Sequence, residues 1–201
     1  VGKRPELVVI AGPNGSGKTS ITEKLLKHTW TERCSYINPD LIAENEFGGW
    51  DARENFLKAA RKAEAMRHEC LRNRQSLAFE TVFSTAEKLD FVKREAAAGY
   101  FIRLFFVCTD SPEINVGRVA QRVREGGHTV PREKIFSRYA KSIANGASTI
   151  TIVERAYVYD NSIEDSPPSL LFRTSAGSLG KVYREAVNGW ARPIFAAAKA
   201  V

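Results

Sequence analysis

Eight consecutive residues, Gly12-Pro13-Asn14-Gly15-Ser16-Gly17-Lys18-Thr19, satisfy the spacing G-x-x-x-x-G-K-[S/T]. Each residue type has its own task in gripping a polyphosphate. Glycines let successive backbone N–H groups turn inward around anionic oxygens. Lys18 supplies a positive charge at the β- and γ-phosphates, and Thr19 offers a hydroxyl to Mg²⁺. A helix opening near Lys18 aims its positive end at the same phosphates, and Ser20 extends the predicted nucleotide-binding set. The apolar run Leu7-Val8-Val9-Ile10-Ala11 precedes the loop, which is the strand–loop–helix context the motif requires. The spacing predicts binding of ATP or GTP with Mg²⁺.

Binding a nucleotide is not a reaction, so an acidic group is needed to activate an acceptor, and cations to follow the transferred charge. Asp40, in Asn38-Pro39-Asp40, stands just past the Ser35-Tyr36-Ile37-Asn38 strand, where parallel sheets border their ligand crevice. It can accept a hydroxyl proton or orient Mg²⁺ through water, and capping the Leu41-Ile42-Ala43 turn is compatible with either role. Glu80 ends the apolar run Ser76-Leu77-Ala78-Phe79-Glu80, placing a charge at the end of a buried strand. It holds an acceptor hydroxyl or Mg²⁺, or else bonds a neighbouring loop. Asn38, Ser84 and Trp50 complete the polarity of an acceptor pocket, with Trp50 either stacking on a base or sugar or packing. Asp110 is predicted to cap the helix opening at Ser111-Pro112-Glu113. Asn161 and Ser162 either border the crevice or form an ordinary turn.

Cations concentrate between Asn115 and Tyr139, where Arg118, Arg122, Arg124, Arg132, Lys134 and Arg138 surround the break Glu125-Gly126-Gly127-His128-Thr129-Val130-Pro131. Two helices joined by that turn form a basic flap, predicted to be a lid closing over the phosphates from about 115 to 139. A solvated helical hairpin is the plainer alternative.

These residues need elements to hold them. Apolar runs recur at 6–11, 35–38, 76–80, 101–108, 156–160 and 169–173, separated mostly by helical patterns, which predicts an α/β fold with a parallel sheet. Ala52, Phe56, Ala59, Ala60, Ala63, Met66 and Cys70 repeat at helical spacing and predict a long amphipathic helix over 51–73. At 201 residues and 43% hydrophobic content the chain fits a single domain, 1–201, with a sizeable core. No apolar stretch reaches the roughly 20 residues of a membrane span and no signal peptide is evident, so the expected location is the cytoplasm. Three scattered cysteines, Cys34, Cys70 and Cys108, lack metal-ligand spacing and read as reduced thiols. The net charge of +7 suits either nucleic acid or a polyphosphate site. With no block of five like charges, no aromatic ladder and no low-complexity tail, the sequence argues against a nucleic-acid module.

The chain resembles the zeta-toxin-like P-loop kinases, in the compact branch often described as predicted ABC-type ATPases. The resemblance rests on the phosphate loop together with Ile37-Asn38-Pro39-Asp40, Phe79-Glu80-Thr81, Arg118-Val119 through Arg122-Val123, Gly126-Gly127-His128-Thr129-Val130-Pro131, Arg138-Tyr139 and Asp160-Asn161-Ser162. It implies a three-layer P-loop NTPase fold with parallel strand order 2-3-1-4-5, a helical lid, and transfer of the γ-phosphoryl group of ATP to a hydroxyl. In that family the acceptor is a UDP-N-acetyl amino sugar and the partner an antitoxin protein. By motif, Lys18 would hold the phosphates, Asp40 would be the general base, Glu80 would contact the acceptor and Arg122 would be a lid cation. One position departs from the pattern. Where the toxins carry an arginine shortly before a proline, this chain places His128, a weaker cation at neutral pH or simply a hinge hydrogen-bonder.

The expectation is therefore an Mg²⁺-dependent kinase acting on a small-molecule alcohol. Its rivals are a nucleic-acid end kinase, which the net charge favours and the lack of a basic track disfavours, and an ATP-gated binding module with a protein partner. The name ABC-type gains nothing from the sequence, since no Leu-Ser-Gly-Gly-Gln segment is present.

Overall fold

A computed structural model describes residues 4–29, 31–49, 53–184 and 187–199. The expected runs form β1 (Glu6–Ala11), β2 (Ser35–Ile37), β3 (Leu77–Thr81), β4 (Phe101–Cys108), β5 (Arg155–Asp160) and β6 (Ser169–Ser175), and a further strand, β7 (Ser178–Val182), follows. The helices are α1 (Lys18–Leu25), α2 (Pro39–Phe47), α3 (Arg53–Arg72), α4 (Ala86–Ala97), α5 (Pro112–Arg124), α6 (Arg132–Thr149) and α7 (Arg192–Lys199). The seven strands form one sheet in the order β2-β3-β1-β4-β5-β6-β7.

The first five strands are parallel in the order 2-3-1-4-5. β1 lies at the centre with all six residues buried, as expected for a strand covered on both faces. A wholly parallel sheet is not what forms, however. β6 pairs antiparallel with β5 and β7 antiparallel with β6. The physical reason is the connections: residues 161–168 between β5 and β6 are too few for a parallel crossover, and β6 and β7 are joined by Ala176 and Gly177, both at positive φ, a two-residue turn that can only join antiparallel neighbours.

Two cores sandwich the sheet. One face packs Leu7, Val9, Phe79, Leu104, Phe106 and Val158 against Ala59 and Ala63 of α3, Val92 of α4, Ile143 of α6 and Ile194 of α7. The other packs Val8, Ile10, Phe105 and Tyr157 against Ile21 and Leu25 of α1. The second helix of the predicted flap continues past residue 139 into the core. α6 runs on to Thr149 and buries Tyr139, Ser142, Ile143 and Gly146, so its second half belongs to the core and anchors the first. A Cβ on Gly146 would sit 2.9 Å from Cε2 of Phe106, which shows how closely the helix approaches the sheet. Among the described residues, no helix is long and apolar enough to cross a membrane.

Candidate active site

The loop between β1 and α1 is held open by its glycines. A Cβ on Gly12 would lie 2.0 Å from the backbone oxygen of Val107, so only a residue without one fits between β1 and β4. Gly17 is the N-cap of α1 in the left-handed region, at φ 85°, and offers no side chain to the first-turn N–H groups. Those donors are thereby free to face a phosphate. Behind the loop, Asn161 donates from Nδ2 to the Ser16 carbonyl at 2.9 Å, fixing the arch from the end of β5. The hydroxyl of Ser16 is buried with no hydrogen-bond partner, an unmet polar atom within the loop itself.

Lys18 folds back over the loop, its Nζ donating to the carbonyls of Gly12 at 2.9 Å and Pro13 at 3.0 Å. Its pKa falls from the ordinary 10.5 to about 8, chiefly because burial strips water from the ammonium. Glu80 opposes that fall, Arg122 adds to it and Asp40 again opposes it, so four charged side chains act on one another across the crevice.

Asp40 sits in the first turn of α2. The cap of that helix is Asn38, whose Oδ1 accepts from the Asp40 backbone N–H at 2.8 Å, with Pro39 at the first helical position. Capping is thus the task of Asn38, and the Asp40 carboxylate is left for other work. Its surface remains accessible, yet the crevice walls crowd out enough water to raise its pKa, and Glu80 pushes it the same way. His128, Arg122 and Lys18 pull it down, with His128 the strongest of the three.

Glu80 is clamped. Its Oε1 accepts from the Thr22 hydroxyl at 2.7 Å and the Tyr36 hydroxyl at 2.9 Å, while Asn38 Nδ2 donates to the Tyr36 oxygen at 2.9 Å. Burial, then the Glu80 charge, pushes the Tyr36 phenol well above its usual range, so it stays a donor. Ser84 lies half-buried in the β3–α4 loop, which Asn145 of α6 ties down by donating to the carbonyls of Phe83 and Thr85.

From the lid side, Arg122 donates from Nη2 to the His128 carbonyl at 3.3 Å, while its Nε is buried and unbonded. The His128 ring has its pKa lowered by burial and by Arg122, with Asp40 acting against both. His128 therefore serves the hinge through its backbone and faces Asp40 through its ring. Arg138 of α6 donates to Asn14 Oδ1 at 3.2 Å, bringing a guanidinium onto the phosphate loop. Arg118 has a buried, unbonded Nη1 beside a cavity of about 350 Å³, lined also by Ile114, Gln121, Ser162 and Glu164.

The sequence thus brings together Lys18, Asp40, Glu80, Arg122 and His128. Thr19 and Ser20 lie exposed at the start of α1. Trp50 lies outside the described residues. Asp110 does not cap α5: Ser111 is the N-cap, without a side-chain bond, and the Asp110 carboxylate accepts from Asn188 instead. Burial pushes the Cys108 thiol up to about 12, as suits an inert core cysteine. Three contributors escaped sequence reasoning. Thr22 and Tyr36 look like ordinary helix and strand residues until Glu80 is placed between them, and Arg138 carried a signal only as one of several lid cations.

Among the described residues, no group of three or more His, Cys, Asp or Glu side chains is arranged to hold a metal. Mg²⁺ takes one or two protein oxygens and completes its shell with phosphates and water. Thr19, with Asp40 or Glu80 through water, fits this requirement, and the unsatisfied Ser16 hydroxyl and free loop N–H groups fit the phosphates.

A parallel sheet in 2-3-1-4-5 order, with a phosphate loop after β1 and a cationic helical pair over it, defines a P-loop protein of the kinase type. The zeta toxin family matches residues 1–166, and the chain belongs to that family. A protein of Haemophilus influenzae, described as uncharacterized, is 25% identical over 132 residues, 66% of this chain and 91% of its own. The chain is also similar in fold to a component of the PezAT chromosomal toxin–antitoxin system of Streptococcus pneumoniae, with a TM-score of 0.63 at 18% identity over 96% of this chain and 80% of that one. A chain of the AvrRxo1-ORF1:-ORF2 complex crystallised with ATP gives a TM-score of 0.68 at 17% identity over 98% of this chain. The present chain spans 64% of that protein's length.

Proposed function

We propose that this protein is an ATP-dependent kinase that moves the γ-phosphoryl group to a hydroxyl of a small molecule, of the UDP-N-acetyl amino sugar class. The observation that carries this reading is the geometry around the phosphate loop: Lys18 folded over its carbonyls, Arg138 bonded to Asn14 within it, Arg122 on the hinge, and Glu80 held by Thr22 and Tyr36 near Asp40. A structural ion-pair cluster would pair these groups off at contact distance, whereas here Lys18 bonds loop carbonyls and Arg122 the hinge.

In this reading the loop N–H groups and Lys18 hold the β- and γ-phosphates, and Arg138 approaches from the lid. The base occupies the cavity beside Arg118, between α5 and the segment following β5. Thr19 would hold Mg²⁺ together with the triphosphate, and the ion would supply charge neutralisation at the phosphates. Asp40 accepts the acceptor's hydroxyl proton as the new O–P bond forms and the bond to the β-phosphate breaks, releasing ADP. Glu80, held by Thr22 and Tyr36, positions the acceptor. Arg122 and His128 screen the charge that develops. Family membership and the likeness to a toxin–antitoxin component support an antitoxin protein as partner.

The test is incubation with γ-labelled ATP and UDP-N-acetyl amino sugars, then with fractionated metabolites. Asp40→Asn should reduce transfer by about 10²–10⁴-fold while leaving ATP affinity within a factor of two or three. Label found in free phosphate alone, or full transfer by the Asp40→Asn variant, would overturn the assignment.

A further inference from the structure

The two faces of the sheet are covered unequally. On the side facing α1, the helical residues packed against the strands are Ile21 and Leu25, which sit over the β1 end. The β5–β7 part of that face carries a pattern that the linear sequence conceals. Register places Arg155 beside Ser175, Tyr157 beside Arg173, and Arg173 beside Lys181. Two residues on from Tyr157, Tyr159 lies on the same side, and the irregularity between Val158 and Tyr159 sets Leu170 beside it. Tyr183 joins that row, within electrostatic range of Tyr159 and with its ring 4.9 Å from the Lys181 ammonium. The result is an alternating surface of three tyrosines and three cations.

Its exposure grows outward. Tyr157 is nearly buried, stacked on Phe105 at 4.8 Å with the rings within 7° of parallel. Arg173 and Lys181 are exposed, and Tyr183 is 43% exposed. The Glu6 carboxylate on this face is engaged by Arg103 at 3.0 Å, so it does not offset the outer cations. β6 and β7 also lie beyond residue 166, where the family match ends. The acceptor side of the crevice, with Asp40 and Glu80, lies towards β2 and β3 at the opposite edge of the sheet.

We infer that the β5–β7 face binds single-stranded nucleic acid, Tyr183 and the half-buried Tyr159 stacking on bases, Tyr157 backing them from the core, and Arg155, Arg173 and Lys181 contacting phosphates. A twisted sheet presenting aromatic rings between cations is a recurrent platform for unpaired bases, since every base has a face to stack while the backbone runs past the positive charges. An acidic protein would be drawn by the same charges but would leave the rings without flat partners. The surface is separate from the phosphate loop, so the bound strand is not the phosphoryl acceptor.

Fluorescence anisotropy with labelled 12-mer single strands of DNA and of RNA tests this. Wild-type protein should bind at low salt, with log affinity falling against log salt at a slope of about −2 for three phosphate contacts. Arg173→Glu with Lys181→Glu should weaken binding by about tenfold or more and flatten the slope, and Tyr183→Ala should weaken it by at least about fivefold. These residues are exposed, and thermal melting of each variant confirms its fold. Excess Mg-ATP and the Lys18→Met substitution should leave oligonucleotide binding unchanged, which separates this face from the kinase site. No binding at 50 mM salt, binding displaced by ATP, or binding unaltered in the face variants would overturn the inference. So would tighter binding of polyglutamate than of oligonucleotide, lost in the same variants, which would assign the face to an acidic protein.

Discussion

Lys18 gives the sharpest quantitative handle, because its fall to a pKa of about 8 links nucleotide affinity, pH and fold stability with defined signs. Without nucleotide, the buried ammonium costs roughly 3 kcal/mol relative to an ordinary lysine, the free-energy equivalent of moving from 10.5 to about 8. A bound triphosphate supplies the missing counter-charge and restores the ammonium. Affinity for Mg-ATP should therefore be flat below pH 8 and fall by about tenfold per pH unit above it, as binding must first recover a proton. Lys18→Met should bind far more weakly, by about 10–150-fold for the loss of a charge-assisted contact, and its affinity should be flat across the same range.

Stability should move the opposite way. Between pH 8 and 10.5 the unfolded chain holds a proton on this lysine that the folded chain has released, so the contribution to folding becomes more favourable as pH rises through that window. Below pH 8 the full cost is present. Lys18→Met removes it, while the Gly12 and Pro13 carbonyls exchange their donor for water, leaving a net gain of about 1–2 kcal/mol and a melting temperature higher by a few degrees. Isothermal titration calorimetry from pH 7 to 10, with scanning calorimetry of the nucleotide-free proteins, reads both effects. A wild-type affinity independent of pH above 8, or a Lys18→Met protein that melts lower than the wild type, would refute the argument that this ammonium is held dehydrated for the phosphates.

Three further outcomes follow from the same geometry. The Asp40 carboxyl titrates above its usual range and must be ionised to take a proton, so kcat/KM should fall as pH drops through that raised value; His128→Ala, by removing the strongest cationic influence on Asp40, should shift this acid limb to higher pH. Tyr36→Phe deletes one of two donors to Glu80, a loss of about 1 kcal/mol that should raise the acceptor KM about fivefold and leave the ATP KM unchanged in steady-state assays. Gly12→Ala would drive a methyl group into the Val107 carbonyl at a positive φ, and urea denaturation should show a loss of more than about 4 kcal/mol.

What the sequence discloses and what it withholds divide along a physical line. The phosphate loop, the strand ends at Asn38 and Glu80 and the lid arginines are legible because local backbone geometry and the edge of a parallel sheet suffice to place them. The clamp on Glu80 is not, since Thr22 and Tyr36 come within hydrogen-bond reach of it only through the parallel register of β2 with β3 and the packing of α1 across the sheet. The antiparallel edge was hidden for a similar reason. The alternation of runs with helical segments implied parallel strands throughout, and β7, with Ser178, Gly180 and Lys181, offers too little apolar pattern to announce a strand. That same omission explains why no aromatic ladder was visible. Tyr157, Tyr159 and Tyr183 stand up to 26 positions apart in sequence; the first two alternate on β5, and Tyr183 joins their face only because Arg173 pairs with both Tyr157 and Lys181, next to an irregularity that shifts β7 by one residue. A one-residue displacement in an antiparallel pair reverses which side every later side chain occupies, so the chemistry of this edge is a property of register.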